Sequence, residues 1–174
     1  GASEDSVINN KLIDFHLSLP GLIPEDIIPD TEIINLTTRN FLSKDFKNNH
    51  LEKHYDVITI GRKVKAKRYL EFFLIIKKVM KEKPDLKVMI IAPEDEKPKK
   101  STFDYLFEEN FNDIFSEYEK KNITIYSKNE YLDKREIIEL LNKSRIFLFT
   151  SIREGVAKVT GEAALCGLKI LIFK

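Results

Sequence analysis

From residue 55 onward the chain alternates short apolar runs with longer amphipathic stretches, and this alternation restricts the fold more than any other feature. The runs are Tyr55-Asp-Val-Ile-Thr-Ile60, Leu86-Lys-Val-Met-Ile-Ile91, Ile123-Thr-Ile-Tyr126, Arg145-Ile-Phe-Leu-Phe149 and Lys169-Ile-Leu-Ile-Phe173. Their length and β-branched content suit buried strands. Between them, Tyr69, Phe73, Ile76 and Met80 mark one helical face, closed by Lys-Glu-Lys-Pro84. A second helix is expected after Ser101 or Thr102, with Phe103, Leu106, Phe107, Phe111, Ile114, Phe115 and Tyr118 as a core stripe. A third, bearing Ile137, Ile138, Leu140 and Leu141, starts at the capping pair Asp133 and Glu136. Strands alternating with helices call for an α/β fold, a doubly wound, mostly parallel Rossmann-like sheet.

The stretch Thr150 to Leu168 follows the fourth apolar run and carries Val156, Val159, Ala163 and Cys166 at helical spacing, so a strand turns into a helix there. Glu154 falls in the turn beside Gly155, and Glu162 two turns up the helix. Such turns lie at the carboxyl end of a parallel sheet, where free N–H groups and the helix dipole attract phosphate. The plainer reading makes Glu154 an acid at a helix N-terminus and pairs Glu162 with Lys158 one turn back. A second feature weighs against it: Gly61-Arg62, with Lys67 five residues further on, follows the first strand. If these two strands are neighbours at the switch point, two cations face two carboxylates across one crevice. A nucleoside diphosphate attached to a sugar needs that mixture, cations for its phosphates and carboxylates for its hydroxyls.

Composition excludes several other classes. The 29 basic and 28 acidic residues nearly cancel, which gives no field toward nucleic acid or anionic lipid. The lone cysteine, Cys166, reads as a buried thiol in a reducing compartment, and no set of side chains is spaced for a metal, His16 included. No run approaches the ~20 apolar residues of a membrane span. The expectation is a soluble, cytoplasmic protein, with a peripheral membrane position open to a full-length enzyme. Gly1-Ala2-Ser3 reads as a cloning remnant. Lys11 to Asp30, with Pro20, Pro24 and Pro29, reads as irregular, Thr31 to Leu36 as a short strand, and Asn40 to His54 as a polar connection with His50 and His54 solvated. The domain expectation is therefore 1–54 as tag remnant, irregular segment and linker, and 55–174 as the Rossmann-like domain.

Together the two motifs resemble the C-terminal, nucleotide-sugar-binding half of a GT-B glycosyltransferase, most similar to family 4. That family reads approximately Gly-Arg-x-x-x-x-Lys-Gly, then Ser-x-x-Glu-Gly-Phe-Gly, then a second Glu followed by Ala-x-x-x-Gly-x-Pro. Gly61, Arg62 and Lys67 match the first motif; Ser151, Glu154, Gly155, Glu162, Ala163 and Gly167 match the others. The likeness covers roughly Tyr55 to the end, with a faint echo at Ile33 to Phe46. Arg68 departs from the first motif where Gly is usual, Val156 and Ala157 stand for Phe and Gly, and Thr150 and Lys169 stand where proline is frequent.

The resemblance implies retaining transfer from a nucleotide-diphosphate sugar in polysaccharide or glycoconjugate synthesis, with no cofactor and no metal. It implies that Arg62 and Lys67 hold the diphosphate and stabilise charge as the glycosidic bond breaks. It gives Glu154 to the donor sugar, Glu162 to the ribose hydroxyls, and the N–H groups of Val156, Ala157 and Lys158 to sugar and phosphate. Arg62, Lys67 and Glu154 are then the catalytic set. The family's N-terminal acceptor domain would be the partner, and its further strand and helices follow the fifth strand. The chain is thus expected to be an excised donor domain, inactive alone. The alternative is a GT-B-like module that binds or assembles without transfer. A dinucleotide-binding domain lacks support, because no Gly-x-Gly-x-x-Gly follows any strand.

Overall fold

Period-two alternation sorts the strand side chains onto two faces, and each face buries its own cluster. The computed structural model describes residues 15–18, 32–35, 43–94, 103–127, 132–152 and 158–172. By its internal contacts the chain divides into Gly1–Phe41 and Leu42–Lys174. In the first unit, β1 (Phe15–Ser18) pairs in parallel with β2 (Glu32–Asn35), with His16 opposite Ile33. The second of these was expected. The first corrects the irregular reading of Lys11 to Asp30: Pro20, Pro24 and Pro29 all follow Phe15–Ser18 in sequence, so its backbone can join a ladder.

In the second unit the chain runs β3 (Tyr55–Ile60), α1 (Tyr69–Glu82), β4 (Val88–Ile91), α2 (Phe107–Ile114), α3 (Glu117–Lys120), β5 (Ile123–Tyr126), α4 (Lys134–Asn142), β6 (Ser144–Phe149), α5 (Lys158–Leu165) and β7 (Lys169–Ile172). Its five strands are all parallel, in the order β5-β4-β3-β6-β7. The chain winds outward from β3 to β5, returns, and winds the other way from β6 to β7. The switch point therefore lies between β3 and β6, whose registers pair Val57 with Ile146 and Ile58 with Phe147.

Val57, Val88, Ile90, Ile123 and Leu148 face α1 and α2, where Tyr69, Phe72, Phe73, Ile76 and Phe107 are buried. Tyr69 meets Phe107 edge-on at 4.8 Å and 82°, and Phe73 meets the same ring at 5.2 Å, geometries that the ring quadrupoles favour. Ile58, Met89, Phe147 and Phe149 face the other way, toward Leu141, Ala163 and Cys166. Cys166, in the turn just after α5, is fully buried as expected, and burial raises its thiol pKa.

The aromatic stripe behaves differently from the expectation of one helix. Phe103 lies outside α2, in an isolated bridge to Val64, and Ser101 and Thr102 fall outside the described residues. Phe115 adopts an extended backbone, after which Ser116 and Glu119 form a reciprocal capping box that starts α3. Phe107 and Phe115 are core, whereas Leu106 and Tyr118 are 55% and 66% exposed. The Asp133–Glu136 capping box of α4 is present as expected.

Residues 43–54 lack regular structure but pack against the sheet unit. Phe46 is buried, and the fully buried Asn142 accepts from the Asn49 N–H at 2.6 Å and donates to the Lys47 carbonyl at 3.0 Å. His50 and His54 are exposed. Among the described residues no helix is long and apolar enough to cross a membrane.

Candidate functional site at the switch point

Because all five strands are parallel, Ile60 and Phe149 end on the same rim, and the segments that follow them meet. After β3 the chain passes Gly61-Arg62-Lys63-Val64, makes a short 3-10 turn at Lys65–Lys67, and enters α1 through Arg68 in the left-handed region, at φ 55° and ψ 53°. After β6 it passes Thr150-Ser151-Ile152. Hydrogen bonds join the two segments. The Thr150 hydroxyl donates to the Lys67 carbonyl at 2.7 Å, the Ser151 hydroxyl to the Ala66 carbonyl at 3.1 Å, and the Ile152 N–H to the same Ala66 carbonyl at 3.1 Å. Thr150 is buried, so its bond is made away from competing water.

Gly61 has two links within its own loop. Its carbonyl accepts a 2.5 Å hydrogen bond from the Tyr69 hydroxyl, whose pKa burial raises strongly. The space a Cβ would fill is taken by Lys67, whose Cε would lie 2.9 Å from such an atom. Lys67 thus lies folded along Gly61, with its ammonium 5.9 Å from the centre of the Phe149 ring. Arg62 is exposed on the rim, and Lys67 is half-buried.

On the other side of the switch point, Glu162 lies on α5, half-buried, with its carboxylate 3.7 Å from the Lys158 ammonium. The ion pair of the plainer reading is therefore present, although Lys158 is 53% exposed and a pair of that kind is worth little. Glu154, Gly155, Val156 and Ala157 fall outside the described residues. Among the sequence-expected residues, the structure brings Gly61 and Lys67 into contact and ties the backbone of Lys67 to Thr150.

Sequence reasoning passed over Lys63. Its side chain is 1% exposed, and its ammonium bonds Glu94 at 2.8 Å and Glu108 at 2.5 Å and lies 4.6 Å from the centre of the Phe107 ring. No local pattern points to it, because its partners are 31 and 45 residues away. Hollows among the described residues lie elsewhere: one of about 280 Å³ lined by His54, Tyr55, Tyr126 and residues of α4, one of about 300 Å³ lined by Ile75, Val79, Ile146, Leu148 and Leu171 of the α1-side face, and one of about 480 Å³ lined by Asp45 and the start of α4. Among the described residues no group of three or more His, Cys, Asp or Glu side chains could hold a metal ion.

The sequence profile of glycosyl transferases group 1 matches residues 40–174. The chain belongs to the glycosyl transferases group 1 family. Solved structures agree on the fold. TarM superposes with a TM-score of 0.66 at 18% identity, covering 95% of this chain and 30% of TarM. The pneumococcal O-GlcNAc transferase GtfA, in complex with UDP and GlcNAc, gives 0.64 at 18% identity, with 93% and 30% covered. The C-terminal domain of a group 1 glycosyl transferase (LpcC) from Francisella tularensis gives 0.55 at 18% identity, with 79% and 70% covered. The family sheet is thus the Rossmann-like half of a GT-B fold, and the chain spans about 30% of the length of TarM or GtfA. No curated protein sequence matches it.

Proposed function

We propose that this group 1 chain carries the donor site of a retaining, metal-independent glycosyltransferase, with residues 55–174 as the donor-binding domain. The observation that carries the reading is the meeting of the two rim segments, through the hydrogen bonds of Thr150, Ser151 and Ile152 to Ala66 and Lys67. They place Lys67 at the switch point of a parallel sheet, where ligands of such folds bind.

In this reading Arg62 and Lys67 hold the diphosphate of a nucleotide sugar. As the bond from sugar to phosphate breaks, negative charge accumulates on the phosphate oxygens, and cations fixed beforehand stabilise it without reorganising. Arg62 brings a planar fork that can take two oxygens, and Lys67 a point charge on a chain steered by Gly61. Glu162, one turn beyond Lys158, accepts from the ribose hydroxyls. Glu154 contacts the donor sugar, and the N–H groups of Val156, Ala157 and Lys158 face sugar and phosphate. The acceptor, and the base that takes its proton, belong to a second domain, so the chain alone binds donor without turnover. Work in polysaccharide or glycoconjugate synthesis at the cytoplasmic side completes the proposal.

The test is calorimetric titration of the chain with UDP, GDP, ADP and dTDP without added metal, alongside Arg62→Ala and Glu162→Ala. Binding of one nucleotide that weakens at least about tenfold in both variants, about 1.4 kcal/mol, is expected. Equal affinity in all three proteins sinks the residue assignment, and absence of binding by the unaltered chain sinks the donor site.

A further inference from the structure

Lys63 is a buried cation that the proposed chemistry does not use. Removing an ammonium from water costs several kcal/mol, and an apolar side chain of similar length would fill the same space without that cost. Folding alone therefore gives no reason for a lysine with 1% exposure. Its surroundings compensate the charge: two carboxylates at 2.8 and 2.5 Å and the Phe107 ring at 4.6 Å.

The cluster also fixes one particular piece of backbone. Glu94 follows β4 and Glu108 stands in the first turn of α2, so the side chain of Lys63 grips both ends of the β4–α2 connection. The main chain repeats the grip. The Lys63 N–H donates to the Pro93 carbonyl at 3.3 Å, the Asp104 N–H donates to the Lys63 carbonyl at 3.1 Å, and Val64 bridges Phe103. One end of the Arg62–Lys67 loop is thereby held to β4 and α2, and the other, through Ala66 and Lys67, to the segment after β6.

We infer that Lys63 is a positioning residue for the diphosphate site: clamped between Glu94 and Glu108, it fixes the backbone that presents Arg62. The inference rests on the donor-site reading for the ligand and on the ion cluster for the mechanism. With its charge matched by two carboxylates, Lys63 supplies geometry to the site, and the attraction for phosphate comes from Arg62 and Lys67.

The test compares the full chain with Lys63→Met, which keeps length and removes charge, and with Glu108→Gln, which releases α2 from the ammonium while Glu94 stays on it. Glu108 is 60% exposed and one carboxylate still compensates Lys63, so this variant folds even if Lys63→Met does not. Melting temperatures are expected within about 3 °C of the unaltered chain. Amide hydrogen exchange over residues 61–68 of the free protein should quicken at least about tenfold, with β5 and α4 unchanged. Affinity for UDP should fall about tenfold while that for uridine holds, so the ratio of the two drops. A general loosening of the fold would lower both affinities and leave the ratio in place. Unchanged exchange over 61–68 in a folded variant, or an unchanged UDP-to-uridine ratio, overturns the inference. If the unaltered chain binds no UDP, the donor-site reading fails with this ligand, and the exchange comparison still decides whether the cluster clamps the loop.

Discussion

The side chain of Lys67 occupies the place where residue 61 would carry a Cβ, which would stand 2.9 Å from Lys67 Cε and 3.0 Å from its Cδ. Glycine at 61 is therefore a steric requirement of the lysine. The backbone there is not left-handed, so alanine is conformationally acceptable and removes freedom from the unfolded chain. Lys67 is flexible and yields by rotating away. Gly61→Ala should thus leave stability within about 1 kcal/mol of the original. It should nonetheless weaken UDP binding about tenfold, because the ammonium is re-aimed. Thermal melts and calorimetry on the same protein check both halves, and tight binding by the alanine variant would show that Lys67 does not act from this position.

Arg68 occupies the left-handed region at the junction of the 3-10 turn and α1, where the related motif carries glycine. The conformation costs a residue with a Cβ about 1–2 kcal/mol. The ion pair of Arg68 Nε with Glu71 at 2.8 Å returns a few tenths. Both Arg68→Gly and Arg68→Ala lose the side-chain interactions, and only alanine keeps the strain. The glycine variant should therefore be the more stable of the two by about 1 kcal/mol, reversing the usual order within helices. Urea unfolding of the pair measures the difference, and an alanine variant equal to or above glycine would show that the turn relaxes.

Alternating apolar runs made the five strands and their parallel sense legible, and Asp133 with Glu136 marked the start of α4. The order of β3 and β6 was only conditional, because strand adjacency depends on crossovers that no local spacing encodes. The break at Ser116 was missed although its capping pattern, Ser116 with Glu119, stands in the sequence. The aromatic spacing of Phe111, Phe115 and Tyr118 runs across it and suggests a single helix. Lys63 was invisible because its identity as a buried cation depends on Glu94 and Glu108, which only the folded sheet brings near. Glu154, Gly155, Val156 and Ala157 keep the standing the motif gave them, since they lie outside the described residues.

The Lys77 ammonium, donating to both carboxylate oxygens of Glu119 at 2.7 and 2.6 Å, holds that carboxyl at a pKa of about 2, helped by the N–H and hydroxyl of Ser116. A carboxylate whose pKa is lower when folded stabilises the protein above its unfolded value, and the contribution is lost as pH falls through the folded one. For Glu119 the full contribution is present above about pH 4.5 and disappears toward pH 2. Glu119→Gln should destabilise the chain by about 1–3 kcal/mol at pH 7. The gap between the two proteins should narrow steadily on acidification through this window. Denaturant titrations at pH 7, 4 and 3 test the sign, and a gap that widens on acidification would contradict it.

Lys158 and Glu162 allow the structural and the donor-binding roles of the glutamate to be separated. Their 3.7 Å pair, one turn apart on α5 with the lysine more than half exposed, is worth at most about 0.5 kcal/mol. Were pairing the whole role of Glu162, Lys158→Gln and Glu162→Gln would have the same small effect on stability and none on nucleotide binding. The donor-site reading predicts a different split. Lys158→Gln keeps the N–H of residue 158 and should change UDP affinity less than about threefold, while Glu162→Gln should cost at least about tenfold. Affinity for 2′,3′-dideoxy-UDP should be nearly equal for the unaltered chain and Glu162→Gln, since the hydroxyls Glu162 would accept from are gone. Equal losses with UDP in both variants would return Glu162 to a surface ion pair and leave the ribose without its proposed acceptor.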